Sequence, residues 1–160
     1  MQLTLTEFKQ SHFKQLVEWI KTDELNYLWG GPAYTFPLTQ TQIKRHCAQA
    51  EVHPYLVTMN SDNVGFIELY KVTEDHYRIC RVFISEEFRG QGLAKKMMTL
   101  VIDKARNDLS AEILSLAVFE HNTAARKCYE SLGFKTLTVE SGTRYFNGKS
   151  WKLLRMEKQF

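Results

Sequence analysis

Two glycines mark the segment that most constrains the fold of this chain, a turn that reads Arg89-Gly90-Gln91-Gly92-Leu93-Ala94. An apolar, strand-like run (79–84) precedes the turn, and a segment with helical periodicity follows it. A turn of small residues between a strand and a helix directs several backbone N–H groups toward one point, where the helix dipole adds partial positive charge. The segment therefore predicts a phosphate site, although a tight turn without a ligand would explain the same residues. The dinucleotide fingerprint does not fit, since Lys95 occupies its third glycine position.

The alternation of apolar and turn residues predicts strands and helices along the whole chain. Strands over 55–59, 64–72 and 76–84 are separated by short polar turns, so an antiparallel meander is expected. A strand–helix–strand–helix–strand run follows, with its second helix over 122–132. The pattern predicts an α/β fold (an α+β mixed sheet) with helices on both faces of the sheet. The other predicted elements are strands at 3–5, 113–119, 134–139 and 151–156, helices around 13–20, 39–50 and after the glycine turn, and a loop at 30–37.

Length and composition favour one domain over residues 1–160 and exclude several classes of protein. Lys and Arg number 21 against 18 acidic residues, and a net charge of +3 argues against a nucleic-acid binder while allowing one local acidic ligand. The sequence begins without the features of a signal peptide, and no apolar run is long enough to span a membrane. The three cysteines are isolated, without metal-type spacing. We therefore expect a cytoplasmic protein with reduced thiols, no metal site and no membrane partner.

A second motif begins at Asn122, continues at Tyr129 seven positions later, and ends with Gly133-Phe134. Taken alone, Asn122 is explained as a helix N-cap and Tyr129 as a core aromatic. Together with the glycine turn, however, the motif resembles the GNAT superfamily of acyl-CoA-dependent N-acetyltransferases. The superfamily's cofactor pattern is Arg or Gln, two residues, Gly, one residue, then Gly or Ala, and Arg89, Gly92 and Ala94 match it. The resemblance covers about 64–140.

The resemblance implies that acetyl-CoA is the cosubstrate and that an amine attacks its thioester directly in a ternary complex. Tyr129 would act as general acid toward the leaving thiolate, and Asn122 would contact the pantetheine arm. A mostly antiparallel sheet is implied, with a splayed parallel strand pair that admits pantetheine. Backbone groups of Phe83 and Ile84 would bind pantetheine there, one N–H polarising the thioester carbonyl. The implied cofactor-binding residues of the turn are Arg89, Gly90, Gln91, Gly92, Leu93 and Ala94.

The general base is the point at which the sequence departs from its relatives. Ribosomal-protein acetyltransferases of the superfamily carry a glutamate five residues ahead of the motif's Asn, where this chain has Ala117. Glu68 is the candidate base instead, although strand alternation also allows it to face solvent. Glu120 and His121 are weaker candidates. A dedicated base is also unnecessary if the amine arrives neutral or a water chain takes its proton.

The acceptor is not identified by the sequence. The aromatic segment 26–36 either forms one wall of an acceptor groove or covers the edge of the core, and the hairpin 144–148 would form the opposite wall. An amine-bearing small molecule and a protein or peptide are both open, and homodimers are frequent in such families. The alternative to an enzyme is a non-catalytic acyl-CoA-binding sensor on the same fold.

Overall fold

The computed structural model describes residues 2–160, in which a seven-stranded sheet has the order β1-β2-β3-β4-β5-β9-β6. The strands are β1 (Leu3–Glu7), β2 (Val52–Met59), β3 (Asp62–Lys71), β4 (His76–Ile84), β5 (Ile113–Phe119), β6 (Lys135–Glu140) and β9 (Leu153–Gln159), with a separate hairpin of β7 (Tyr145–Phe146) and β8 (Lys149–Ser150). The helices are α1 (Phe13–Trp19), α2 (Asp23–Gly30), α3 (Gln40–Cys47), α4 (Leu93–Asp108) and α5 (Thr123–Ser131). Short 3₁₀ turns lie at Gln10–His12, Gly31–Ala33 and Glu86–Phe88.

The predicted fold class is confirmed, including the antiparallel meander of β2, β3 and β4 and the parallel pairing of β4 with β5. Helix α2 was not predicted; the Thr22 hydroxyl caps it by accepting the N–H of Leu25 at 3.1 Å. The sequence also placed Pro54 before a strand, whereas it lies inside β2. Its carbonyl accepts the N–H of Phe8 beyond the end of β1, so its missing N–H faces a side where no strand continues.

Helices cover both faces of the sheet, each over its own apolar cluster. Helix α4 packs against β1, β3 and β4, and its buried face includes Met97, Met98 and Val101. Helices α1, α2 and α3 lie over the other face, where their cluster includes Leu16, Ile43 and Phe66 of β3. Both faces of the central strands are therefore buried. No helix within residues 2–160 is long and apolar enough to cross a membrane.

The strands β4 and β5 pair only over their first halves. Their parallel register runs from His76 opposite Ile113 to Ile79 opposite Leu116, although both strands continue beyond this point. A bulge in β4 shifts its register with β3, and Arg81 adopts a positive φ of 52° in the bulge. An extra residue bends a strand and increases its local twist. The bulge thus accounts for the divergence of β4 from β5, which opens a cleft in the sheet.

Candidate active site

A cleft of about 260 Å³ lies between the diverging ends of β4 and β5. Its floor is formed by residues of these two strands, including Cys80 and Ala117. The end of α2 with the loop after it forms one wall, and Arg144 with β9 contributes the other. The remaining lining residues are Leu28, Trp29, Gly30, Gly31, Pro32, Arg78, Ile79, Arg81, Val82, Leu116, Val118, Phe119, Asn122, Tyr129, Leu153 and Arg155.

Tyr129 and Asn122 both line this cleft. The Asn122 side chain caps α5, its Oδ1 accepting the N–H of Ala125 at 3.4 Å. About two turns later, Tyr129 is 8% exposed and belongs to the core beneath α4. Burial raises the pKa of Tyr129 above its ordinary value, with a smaller contribution from Cys128. The phenol therefore holds its proton at neutral pH, the state that a general acid requires.

The glycine turn lies between β4 and α4. Gly90 and Gly92 have positive φ values of 78° and 71°, and Gly92 is the N-cap of α4. A Cβ placed on either glycine would meet no atom within 4 Å, so backbone conformation rather than crowding requires glycine here. Gln91 and Ala94 are exposed beside the glycines, whereas the Leu93 side chain is buried in the core. Leu93 can therefore contact a ligand at this turn through its backbone groups but not through its side chain.

Three predicted cofactor residues at or just beyond the end of β4 contact other residues of the protein. The Phe83 ring is buried and stacks on Trp19 at 5.4 Å between ring centroids. Arg89 lies over the same ring, and its Nε donates to the Ile84 carbonyl at 3.0 Å. The backbone N–H of Ser85 donates to the Val64 carbonyl of β3 at 2.8 Å. Because backbone groups alternate in direction along a strand, those of Phe83 also point toward β3, whereas those of Ile84 point to the opposite side. The Ile84 N–H therefore points away from β3 and that of Phe83 toward it, although neither residue is among those that line the cleft.

Glu68 lies at the centre of a buried polar cluster beside the cleft. It is 0% exposed; its Oε1 lies 3.0 Å from His46 Nε2, and its Oε2 accepts from Arg81 Nη1 at 3.0 Å. The alternative that Glu68 faces solvent is therefore wrong, because α3 covers this face of β3. The guanidinium of Arg81 lies 5.6 Å from the ring centroid of Tyr34. Trp29 Nε1 also donates to the Arg81 carbonyl at 3.0 Å, so the cluster fixes both the side chain and the bulged backbone of Arg81.

We expect Glu68→Gln to lower the free energy of unfolding by about 2–3 kcal/mol. The substitution keeps the shape of the side chain but leaves the Arg81 charge without its anionic partner. Urea denaturation of the two proteins measures the difference. The matched control is Glu74→Gln, which removes an exposed carboxylate paired with Lys71 at 2.9 Å and should change stability much less, because solvent screens an exposed ion pair. Equal effects of the two changes would contradict the account of Glu68.

Cys80 is the cleft's potential nucleophile, and its environment argues against that role. Burial, followed by the charge of Glu68, raises the pKa of Cys80 to about 11. The thiol therefore stays protonated at neutral pH, and the thiolate is the form that attacks a thioester. This favours direct attack by an amine over transfer through an acetylated cysteine.

The structure does not bring a carboxylate into the cleft as a base. Ala117 is exposed on the cleft floor, and within residues 2–160 no Asp or Glu is among the lining residues. Glu120 and His121 are exposed outside it, His121 packing on Trp151 with ring centroids 4.5 Å apart. The charged residues that line the cleft and that sequence reasoning missed are Arg78, Arg81 and Arg155. No local motif distinguishes them from ordinary strand residues.

Of the two segments predicted to form walls of an acceptor groove, residues 28–32 and Arg144 line the cleft, and an aromatic contact joins the two segments. The hydroxyl of Tyr27 in α2 accepts the N–H of Tyr145 at 3.1 Å. The Tyr27 ring also stacks on Phe119 and packs against Phe146 and Trp151, with centroid distances of 5.3–5.7 Å. Tyr34 and Trp29, farther along the same segment, are buried and stack on each other. The segment 26–36 therefore both covers the core and lines the cleft.

Comparison with known proteins gives a consistent assignment. A sequence profile of the Acetyltransferase (GNAT) family matches residues 13–134. The chain is 25% identical over 133 residues to the spermidine N(1)-acetyltransferase of Escherichia coli (strain K12), covering 82% of this chain and 72% of that protein. It is 32% identical over 91 residues to the uncharacterized N-acetyltransferase YycN of Bacillus subtilis (strain 168), covering 54% of this chain and 58% of that one.

Solved structures with low sequence identity share the fold. A spermidine N-acetyltransferase from Vibrio cholerae, solved with CoA and spermine, matches with a TM-score of 0.86 at 18% identity over 99% of this chain and 95% of that one. A putative phosphinothricin N-acetyltransferase matches with a TM-score of 0.82, also at 18% identity, over 99% of each chain. None of these findings favours the non-catalytic alternative. Since the family profile covers most of the sequence, the chain belongs to the GNAT family and is an acetyl-CoA-dependent N-acetyltransferase.

Proposed function

We propose that the cleft between β4 and β5 is where this chain transfers the acetyl group of acetyl-CoA to a small-molecule amine. The observation that carries the proposal is the divergence of the two strands beyond Ile79 and Leu116, with Tyr129 and Asn122 lining the gap. The pyrophosphate would bind the backbone N–H groups of the turn from Gly90 to Ala94, and pantetheine would lie between the strands. Relatives named for polyamines outnumber those named for protein substrates, so a small amine is favoured over a protein or peptide.

The chemistry we propose is direct transfer. The neutral amine attacks the thioester carbonyl, a C–N bond forms, and the carbonyl oxygen takes up negative charge near the N–H of Ile84. The C–S bond then breaks and Tyr129 donates its proton to the departing thiolate. The proton lost by the amine passes to solvent, from which Tyr129 is reprotonated. Much of the rate enhancement would come from holding the two substrates together.

We propose a positioning role for Glu68 rather than the role of base. Both of its oxygens are hydrogen-bonded inside the protein, so neither is available to an amine in the cleft. The pH profile of kcat/KM distinguishes the roles. A positioning role predicts that Glu68→Gln lowers kcat/KM at every pH while the pH profile keeps its shape. If Glu68 were the base, the substitution would remove the rise in kcat/KM with pH that follows deprotonation of the base.

A coupled assay tests the proposed function. Acetyl-CoA is supplied with a panel of amines, thiol release is recorded, and the acetylated product is identified by mass spectrometry. We expect amine-dependent thiol release with a one-to-one yield of acetylated amine. Failure of the folded protein to bind acetyl-CoA would overturn the proposal, as would thiol release that yields acetate with every amine.

We also propose a cytoplasmic location and a homodimer. The location rests on the three cysteines, none of which forms a disulfide in the described part of the chain.

The homodimer rests on the sheet's edge strand β6, where Leu137 and Val139 are 60% and 53% exposed. Light scattering after size-exclusion chromatography tests the assembly, and a monomer mass at working concentrations would contradict it.

A further inference from the structure

The cleft is lined by four arginines and by no acidic residue in the described part of the chain. Two of these arginines are neutralised by carboxylates outside the lining. Arg81 donates to Glu68 at 3.0 Å, and Arg155 Nε donates to Glu140 at 2.6 Å. The other two are Arg78 and Arg144.

Arg78 and Arg144 have no carboxylate within 4.0 Å among residues 2–160. The guanidinium of Arg78 lies over the ring of Tyr70, 5.7 Å from its centroid. Arg144 Nη1 donates only to a neutral group, the carbonyl of Thr143, at 3.2 Å. Arg78 of β4 and Arg144 before the hairpin therefore line the cleft with positive charges that no carboxylate of residues 2–160 compensates.

The cofactor's phosphates do not account for these charges. Arg78 and Ile84 lie opposite Tyr70 and Gly65, five positions apart on β3, so the end of β4 is about 17 Å from Arg78 and the glycine turn lies beyond that end. The pantetheine arm that would occupy the intervening cleft is uncharged. Arg144 lies just before the β7–β8 hairpin, which Tyr27 anchors on the acceptor side. The two cations therefore belong to the part of the cleft left for the amine substrate.

We infer that the acceptor is a small amine that also carries an oxyanion, held by Arg78 and Arg144. This inference rests on the proposed function, because it assumes that the amine enters this cleft. Guanidinium groups pair with carboxylates and phosphates through two parallel hydrogen bonds, which orients a small molecule as well as binding it. A polyamine, with several positive charges and no anion, meets repulsion from the same two side chains. The acceptor chemistry thus differs from that named for the polyamine acetyltransferases among the relatives.

Matched acceptors test the inference. The panel contains the protein L-α-amino acids, their α-amides, 2-aminoethyl phosphate and spermidine, each assayed with saturating acetyl-CoA. The best anion-bearing acceptor should exceed its uncharged counterpart in kcat/KM by at least about tenfold, and should exceed spermidine as well. The amino-acid and phosphate arms distinguish a carboxylate from a phosphate as the recognised group.

Variants locate the recognition on the two arginines. Arg144→Gln and Arg78→Gln should each raise KM for the best anionic acceptor at least about tenfold while the Kd of acetyl-CoA stays unchanged. Arg144→Glu should reduce the ratio of kcat/KM for that acceptor to kcat/KM for spermidine, or bring it below one. The matched control is Arg106→Gln, which alters an exposed arginine of α4 that lies over Phe160 and should leave both constants unchanged.

The possible failures are distinguishable. If acetyl-CoA does not bind, the proposed function fails and the inference with it. If acetyl-CoA binds but no anion-bearing amine is acetylated, or spermidine is the better acceptor, the inference is overturned while the cofactor site stands. An anionic acceptor whose KM is unchanged in both Gln variants would overturn the assignment to Arg78 and Arg144.

Discussion

Replacing Tyr129 by phenylalanine should lower kcat about 100-fold and leave the Kd of acetyl-CoA unchanged. The substitution removes only the hydroxyl, so the buried ring keeps its packing beneath α4. Without a proton donor, coenzyme A must leave as a free thiolate, and the barrier to C–S cleavage rises. Steady-state kinetics with the best amine and calorimetric titration of acetyl-CoA measure the two constants separately.

The matched control for this prediction is Tyr55→Phe. Tyr55 is a partly buried tyrosine of β2 that packs near Lys104, outside the cleft, and burial raises its pKa in the same direction. Its loss of a hydroxyl should leave kcat within about twofold of the wild-type value, because general acid–base catalysis depends on contact with the reacting group. Unchanged turnover in Tyr129→Phe would remove Tyr129 from the proposed mechanism.

Replacing Gly92 by glutamate should weaken acetyl-CoA binding by at least about 100-fold, or 2.7 kcal/mol. The new side chain must adopt a φ near 71°, which costs about 1–2 kcal/mol for a residue with a Cβ. Its carboxylate would also compete for the backbone N–H groups at the start of α4 and would repel the cofactor's phosphates. Calorimetric titration of acetyl-CoA into the variant measures the loss.

A second glycine shows whether the loss is specific to the turn. Gly148 has a φ of 76° in the β7–β8 hairpin, and a Cβ there also meets no atom within 4 Å. Gly148→Glu therefore carries the same charge and a similar conformational cost at a distance from the turn. We expect it to bind acetyl-CoA as the wild type does. Retained binding in Gly92→Glu would exclude the turn from the cofactor site.

The core of the fold could be predicted from local sequence patterns. The bounds of β4 and β5 follow from apolar runs that end at polar turns, and Asn122 and Gly133 limit α5 as helix caps do. Helix α2 was missed because its buried residues, Asn26, Trp29 and Gly30, include a polar residue and a glycine. Such a set does not form the apolar stripe by which a helix is recognised.

The polar contacts of the site could not be predicted in the same way, since they depend on tertiary packing. Alternation along β3 correctly places Glu68 on the face opposite α4, but it does not show that α3 covers this face. His46 and Arg81 lie 22 and 13 residues from Glu68, and a bulge without a glycine brings Arg81 to it. Arg78 and Arg144 reach one cleft only because β4 and the hairpin converge there. Sequence alone therefore predicts the cofactor motifs but not the arginines that line the cleft.

A crystal structure of the protein with coenzyme A tests the central claim most directly. The account predicts that pantetheine lies between β4 and β5, with its sulfur within hydrogen-bonding reach of the Tyr129 hydroxyl and its pyrophosphate on the turn from Gly90 to Ala94. Coenzyme A bound elsewhere on the fold, or between the strands with its sulfur far from Tyr129, would contradict it.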